Sequence, residues 1–172
     1  MSRAAVCPGH EQQFSGHSLV RLFVDGSWNP TVQRMGGGAF LLDNTGRWIS
    51  GAASSFGVGT PFTAELLAME MGLAHAWNLG FKYILCYTDC VRVTEVLGTD
   101  VDICNYWDRE LIVRLRNTLR KEWKVLIEYL PRDRNNTADF MARQASRDAS
   151  VHQTWTVPST SIITALLRDS VT

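Results

Sequence analysis

Apolar and β-branched residues fill positions 19–24 almost without a break (Leu19, Val20, Leu22, Phe23, Val24). The run then stops abruptly at Asp25-Gly26. Such a run predicts a buried strand over residues 19–25. Met35-Gly-Gly-Gly38 opens a second apolar stretch over 39–43, and Asn44-Thr45-Gly46 is a turn signal before a third over 47–56. Three strands with short links imply an antiparallel meander. Thr60-Pro61 then sets a hydroxyl at a helix cap and proline at the first helical position. Ala64, Leu67, Ala68, Met71 and Ala74 recur at helical spacing as far as Asn78, and Gly80 ends the helix.

Beyond that helix the pattern predicts a fourth strand over 82–88, a short helix over 91–97 and a charged helix over 105–121. A fifth strand over 124–130 and a helix over 135–147, capped by Asn135, follow. The order βββαβααβα makes one α/β domain over 19–149. Residues 1–18 read as a flexible polar leader, and 150–172 as a tail with one short helix. Helical crossovers join parallel neighbours. The sheet is therefore expected to be mixed and five-stranded, three antiparallel strands then two parallel.

Composition narrows the class. The chain has 172 residues, enough for one full core, and its 45% apolar content is that of an ordinary globular protein. Lys+Arg and Asp+Glu are both 17, so a polyanion would be held by local contacts rather than bulk charge. The four cysteines lie at neither disulfide-framework nor zinc spacing, which implies reduced thiols and no disulfide-linked partner. No stretch has the length of a membrane span or a secretory signal. An intracellular monomer is expected, in nucleus or cytoplasm.

Candidate chemistry lies in four carboxylates. Asp25 and Asp89 each end an apolar strand, where α/β sheets place ligand sites. Glu65 and Asp139 stand in early turns of the helices after Thr60 and Asn135. Singly, Asp25 reads as a turn residue, Glu65 as a helix-start charge, Asp89 as a cap and Asp139 as a solvated face. Together, four such groups need a counter-charge to ionise. Two Mg²⁺ or Mn²⁺ ions would supply it and would clamp the oxygens of a phosphodiester.

The set resembles the ribonuclease H family, in particular the ribonuclease H-like domain of plant non-LTR retrotransposons, over about 19–146. The stretches that carry the resemblance are FVDGSW, TAELLAMEMGL with Ala76, YTDC, and R-x-x-N-x-x-A-D-x-x-A at Arg132, Asn135, Ala138, Asp139 and Ala142. It implies an endoribonuclease that cuts the RNA strand of an RNA–DNA hybrid by two-metal hydrolysis. One metal would be held by Asp25 and Asp139, the other by Asp25, Glu65 and Asp89. Substrate contacts would fall on Gly26, Ser27, Asn29, Arg132 and Asn135, with Gly26 letting the substrate backbone approach.

Two departures stand out. The loop EYLPRDRNNTAD has no histidine where many family members carry a mobile one, although Arg132 matches the plant subgroup and can bind phosphate. The short, acidic GTDVDICN stands in place of a basic protrusion. The helix with Arg109, Arg114, Arg116, Arg120 and Lys121, followed by Trp123, is either a solvated face or a phosphate-contacting one. The alternative function is a weak or inactive nucleic-acid-binding module, or a retroelement remnant, of the same fold.

Overall fold

The computed structural model describes residues 18–98 and 101–170. The expected leader with Cys7, His10 and His17, apart from Ser18, lies outside these residues, as do Thr99 and Asp100. The chain runs β1 (Leu19–Asn29), β2 (Arg34–Asp43), β3 (Trp48–Val58), α1 (Pro61–Asn78), β4 (Tyr83–Thr88), α2 (Val91–Gly98) and α3 (Arg109–Leu119). It continues through β5 (Lys124–Tyr129), a 3₁₀ turn (Arg132–Arg134), α4 (Asn136–Arg147), β6 (His152–Trp155) and α5 (Thr160–Asp169).

The sheet is mixed, with strand order β5-β4-β1-β2-β3-β6. Parallel pairing joins β1 to β4 and β4 to β5, and the other pairs are antiparallel. It has six strands where five are expected. The sixth, His152–Trp155, is a polar edge strand with no apolar alternation of its own, and it exists through pairing with Gly51 to Ser54 of β3.

Both faces of β1 are covered, so its apolar residues need no alternation. Val20, Leu22 and Val24 share one core with Leu73 of α1 and Ile112 of α3. Phe23 belongs to the opposite core, with Met141 of α4 and Ile162 of α5. Its ring stacks on Phe40 at 4.8 Å. The three glycines of β2 permit this sandwich. A Cβ at Gly36 or Gly38 would lie 2.3 to 2.7 Å from backbone atoms of α4, and one at Gly37 would meet the Phe56 ring at 2.5 Å.

Several boundaries move for physical reasons. β1 continues to Asn29 because Asp25 pairs with Gly38 and Gly26 with Gly37. Asp25-Gly26 is therefore mid-strand and not a turn. α3 starts at Arg109 rather than 105, with Asp108 accepting from the Thr63 hydroxyl at 2.8 Å. The expected α4 cap does not form, since Asn135 makes no side-chain capping bond. Cys86, Cys90 and Cys104 are free thiols. No described helix is long and apolar enough to cross a membrane.

Candidate active site

The order of strands reverses between β1 and β4, the place where open α/β sheets leave a crevice. The last paired residues there are Phe23 and Tyr87, and Asp25 and Asp89 each stand two residues further along. Parallel register thus sets the two carboxylates side by side. Glu65 reaches them from α1, because Gly26 lets the helix backbone close in. A Cβ at Gly26 would lie 2.4 Å from Ala64 C and Glu65 N. The constraint on this glycine comes from the helix, whereas the sequence reading assigned it to substrate approach. Oxygens of Asp25, Glu65 and Asp89 lie within 4.8 Å of one another.

Asp139 comes from the opposite face. Asp25 shares the side of β1 that faces α4, and the Asp139 carboxyl comes near enough to help raise its pKa. Arg143, one turn on, pairs with Asp139 through Nε at 2.9 Å to Oδ2 and 3.1 Å to Oδ1. None of the single-residue alternatives for Asp25, Glu65 and Asp139 describes what is seen. Asp25 is 2% exposed and mid-strand. Glu65 is past the first turn of its helix. The Asp139 side chain is 19% exposed.

Burial and crowding dominate the electrostatics. Burial, then the negative charges of Glu65, Asp89 and Asp139, hold the Asp25 carboxyl well above the ordinary carboxylate range. Glu65 is pushed up to about 8, chiefly by burial and then by Asp89, against the Gly26 N–H that donates to its Oε2 at 3.1 Å. Burial also raises Asp89, while hydrogen bonds from Asp25 and Asn135 and the Arg132 charge pull it back. Oδ2 of Asp25 and Oδ2 of Asp89 are buried without a protein partner. Close-set oxygen donors, ionised only at a cost and holding unused lone pairs, fit a hard divalent cation. The Cys90 thiol lines the cleft and is raised by burial, but it is not among the close-set ligand atoms, which are all carboxylate oxygens.

The cleft around these carboxylates is lined by Gly26, Ser27, Trp28 and Asn29 of β1, with Cys90 and Arg132. Arg143, Ser146 and Arg147 of α4 form its other wall. Ser27 bonds to the Ser146 hydroxyl at 3.1 Å, and the Asn29 side-chain oxygen accepts from Thr31 N–H at 3.0 Å. Asn135, expected to touch substrate, is 1% exposed and absent from the cleft wall. Its amide donates to the Val24 carbonyl at 3.1 Å, so it ties the start of α4 to β1. Arg143 and Arg147 escaped the sequence reading, although the i, i+4 spacing of Asp139 and Arg143 is an ion-pair signal.

The basic residues of α3 work largely within the fold. Arg114 pairs with Glu70 of α1 at 3.1 Å. Arg116 donates to the Val96 and Val101 carbonyls. Among the described residues, His75 bonds to the Ser50 hydroxyl and His152 to that of Ser54, and neither lines the cleft.

Comparison with known proteins agrees with this geometry. The model of the reverse transcriptase-like family matches residues 23–145. An Arabidopsis thaliana protein named for ribonuclease H is 29% identical over 154 residues. That match covers 87% of this chain and 24% of the relative, so the chain spans about a quarter of that protein's length. RNase H1 of Halobacterium salinarum is 27% identical with a TM-score of 0.71, over 76% of this chain and 99% of its own. The N-terminal RNase H domain of a Mycobacterium tuberculosis protein is 23% identical, with a TM-score of 0.68 over 77% and 96%. LC11-RNase H1, solved with an RNA/DNA hybrid, is 17% identical, with a TM-score of 0.66 over 74% and 96%. At those last two identities the likeness is one of fold.

Proposed function

The chain belongs to the reverse transcriptase-like family, as an RNase H-like domain of plant type, and from that premise we propose that it is a metal-dependent endoribonuclease acting on the RNA strand of RNA–DNA hybrids. The observation that carries this reading is the trio Asp25, Glu65 and Asp89, with ligand oxygens within 4.8 Å and two buried oxygens unpartnered. Asp25, Glu65 and Asp89 would hold one divalent cation, and Asp25 with Asp139 a second. Such a pair, Mg²⁺ or Mn²⁺, supplies when bound a clamp on the attacking and leaving oxygens of a phosphodiester.

The chain's own groups do the rest. Gly26 N–H and the α1 backbone hold Glu65 against β1. Arg132, on the cleft wall, favours the ionised forms of Glu65 and Asp89 and offers a planar fork to a substrate phosphate. Arg143 pairs with Asp139 and balances its charge, and a cation held by Asp25 and Asp139 would share that carboxylate.

Cleavage of a labelled RNA–DNA hybrid in Mg²⁺ and in Mn²⁺, beside RNA–RNA and DNA–DNA duplexes, tests this. Hybrid-only cutting, lost in Asp25→Asn, supports it. A second reading, a module that holds hybrid without cutting it, is favoured by the lack of a histidine among the described residues of the cleft wall. Hybrid binding by a folded protein that cuts in neither metal would establish that alternative.

A further inference from the structure

We infer that Asp169, near the end of α5, is a positioning residue for the metal-binding cleft, an inference that rests on the metal-dependent reading above. The first N–H groups of a helix have no partner within it. At α4 the residue placed to cap them, Asn135, makes no capping bond: its Nδ2 donates to the Val24 carbonyl, and its Oδ1 is buried without a hydrogen-bond partner. Asp169 takes over from another element. Its Oδ1 accepts from Asn136 N–H and Asn136 Nδ2, both at 2.9 Å. Its Oδ2 accepts from Thr137 N–H at 2.9 Å and the Thr137 hydroxyl at 2.6 Å. Four bonds to one carboxylate at a helix N-terminus, where negative charge is favoured, make a firm clamp.

The clamp's target matters. Asp139 follows Thr137 by two residues, and its N–H makes an in-helix bond to the Asn135 carbonyl at 3.1 Å. The turn that aims Asp139 toward Asp25 is thus held at two points, by Asn135 into β1 and by Asp169 on the first backbone N–H groups of α4. α5 is itself fixed, with Ser159 capping Ile162 N–H at 3.3 Å and Ile162 1% exposed in the core against α4. Asp169 lies beyond residue 145, where the family match ends. This segment therefore adds support for the site from outside the matched domain. Without Asp169 the first turn of α4 loses its amide partners, and Asp139 loses its fixed direction relative to Asp25 and Asp89.

The test uses the full chain as wild type, Asp169→Ala and Asp169→Asn. Leu115→Ala, a buried change in α3, serves as a control for lost stability alone. Mg²⁺ titration followed by amide chemical shifts gives a readout independent of cleavage, and amide exchange reports the first turn of α4. In Asp169→Ala we expect faster exchange at Asn136, Thr137 and Asp139, and a Mg²⁺ midpoint roughly 10-fold higher. The kcat on hybrid should fall with KM little changed. Asp169→Asn, which keeps one acceptor oxygen, should fall between and stands in should the alanine variant not fold. Leu115→Ala should lower Tm and leave the Mg²⁺ midpoint alone. A Mg²⁺ midpoint in the Asp169 variants equal to that in Leu115→Ala overturns the positioning role. Wild type that binds Mg²⁺ but cuts no hybrid removes the ribonuclease reading while the titration still decides Asp169. Wild type that binds no Mg²⁺ removes both.

Discussion

The backbone N–H of Gly26 donates to Oε2 of Glu65 at 3.1 Å, across the seam where β1 meets α1. The bond exists because nothing stands between the strand and the helix at that point. Gly26→Ala would drive a Cβ to 2.4 Å from Ala64 C and Glu65 N. Backbone cannot swing aside as a side chain would, so helix and strand must separate. We expect a loss of about 1 to 3 kcal/mol in stability, toward the upper end. Metal affinity should fall with it, because Glu65 leaves Asp25 and Asp89. Urea unfolding with a Mg²⁺ titration checks both, and a stable variant with unchanged affinity would refute the close-approach account.

The crowded carboxylates set a pH dependence for the metal-free protein. Asp25, Glu65 and Asp89 all have raised pKa values in the fold, about 8 for Glu65, so the folded chain holds protons that the unfolded chain releases near pH 4. Stability is therefore fullest below pH 4 as far as these groups go, and is lost as pH rises through the folded values toward 8. Tm in EDTA should fall between pH 5 and pH 8, by about 2 to 4 °C for each kcal/mol lost in a chain of this size. Asp89→Asn removes one of the repelling charges, so it should flatten that fall and be the more stable protein at pH 8. Saturating Mg²⁺ should flatten the wild-type curve as well. Parallel curves for wild type and variant in EDTA would show that the charges do not repel.

Arg132 carries a separable role. It lines the cleft from the 3₁₀ turn, and it is no part of the carboxylate trio. Arg132→Ala should raise KM for hybrid about tenfold, the worth of one charge-assisted phosphate bond. The Mg²⁺ midpoint should change less. Steady-state kinetics at saturating Mg²⁺ decides this, and an unchanged KM would take Arg132 out of substrate binding.

Which parts of this site could be read from the chain depends on where the controlling contact lies. Asp25 and Asp89 were legible because each follows a run of apolar residues, and parallel register between β1 and β4 does the rest. Glu65 and Asp139 were legible through helix-start signals near them. Asn135 was misread because its residue type and position suit a local cap or a substrate contact, while the Val24 carbonyl that claims it is 111 positions away. The capping role of Asp169 had no local sign, since its partners sit 32 and 33 positions earlier on another helix. Strand β6 was invisible for a related reason. His152, Gln153 and Thr154 have no apolar rhythm, and only the neighbouring strand makes them extended.

That neighbouring strand is β3, long and rich in small residues, and β6 is what occupies its outer side. Val151 O accepts from Ser55 N–H at 2.8 Å, and His152 to Trp155 continue the pairing. A short polar ribbon is a poor template for another chain, whereas a bare eleven-residue strand is a good one. A fragment trimmed to the family-matched residues 23–145 would leave the backbone of β3 open to strand addition. The residues after α4 thus shield the molecule from its own copies, and an expression boundary that respects solubility falls after Asp169.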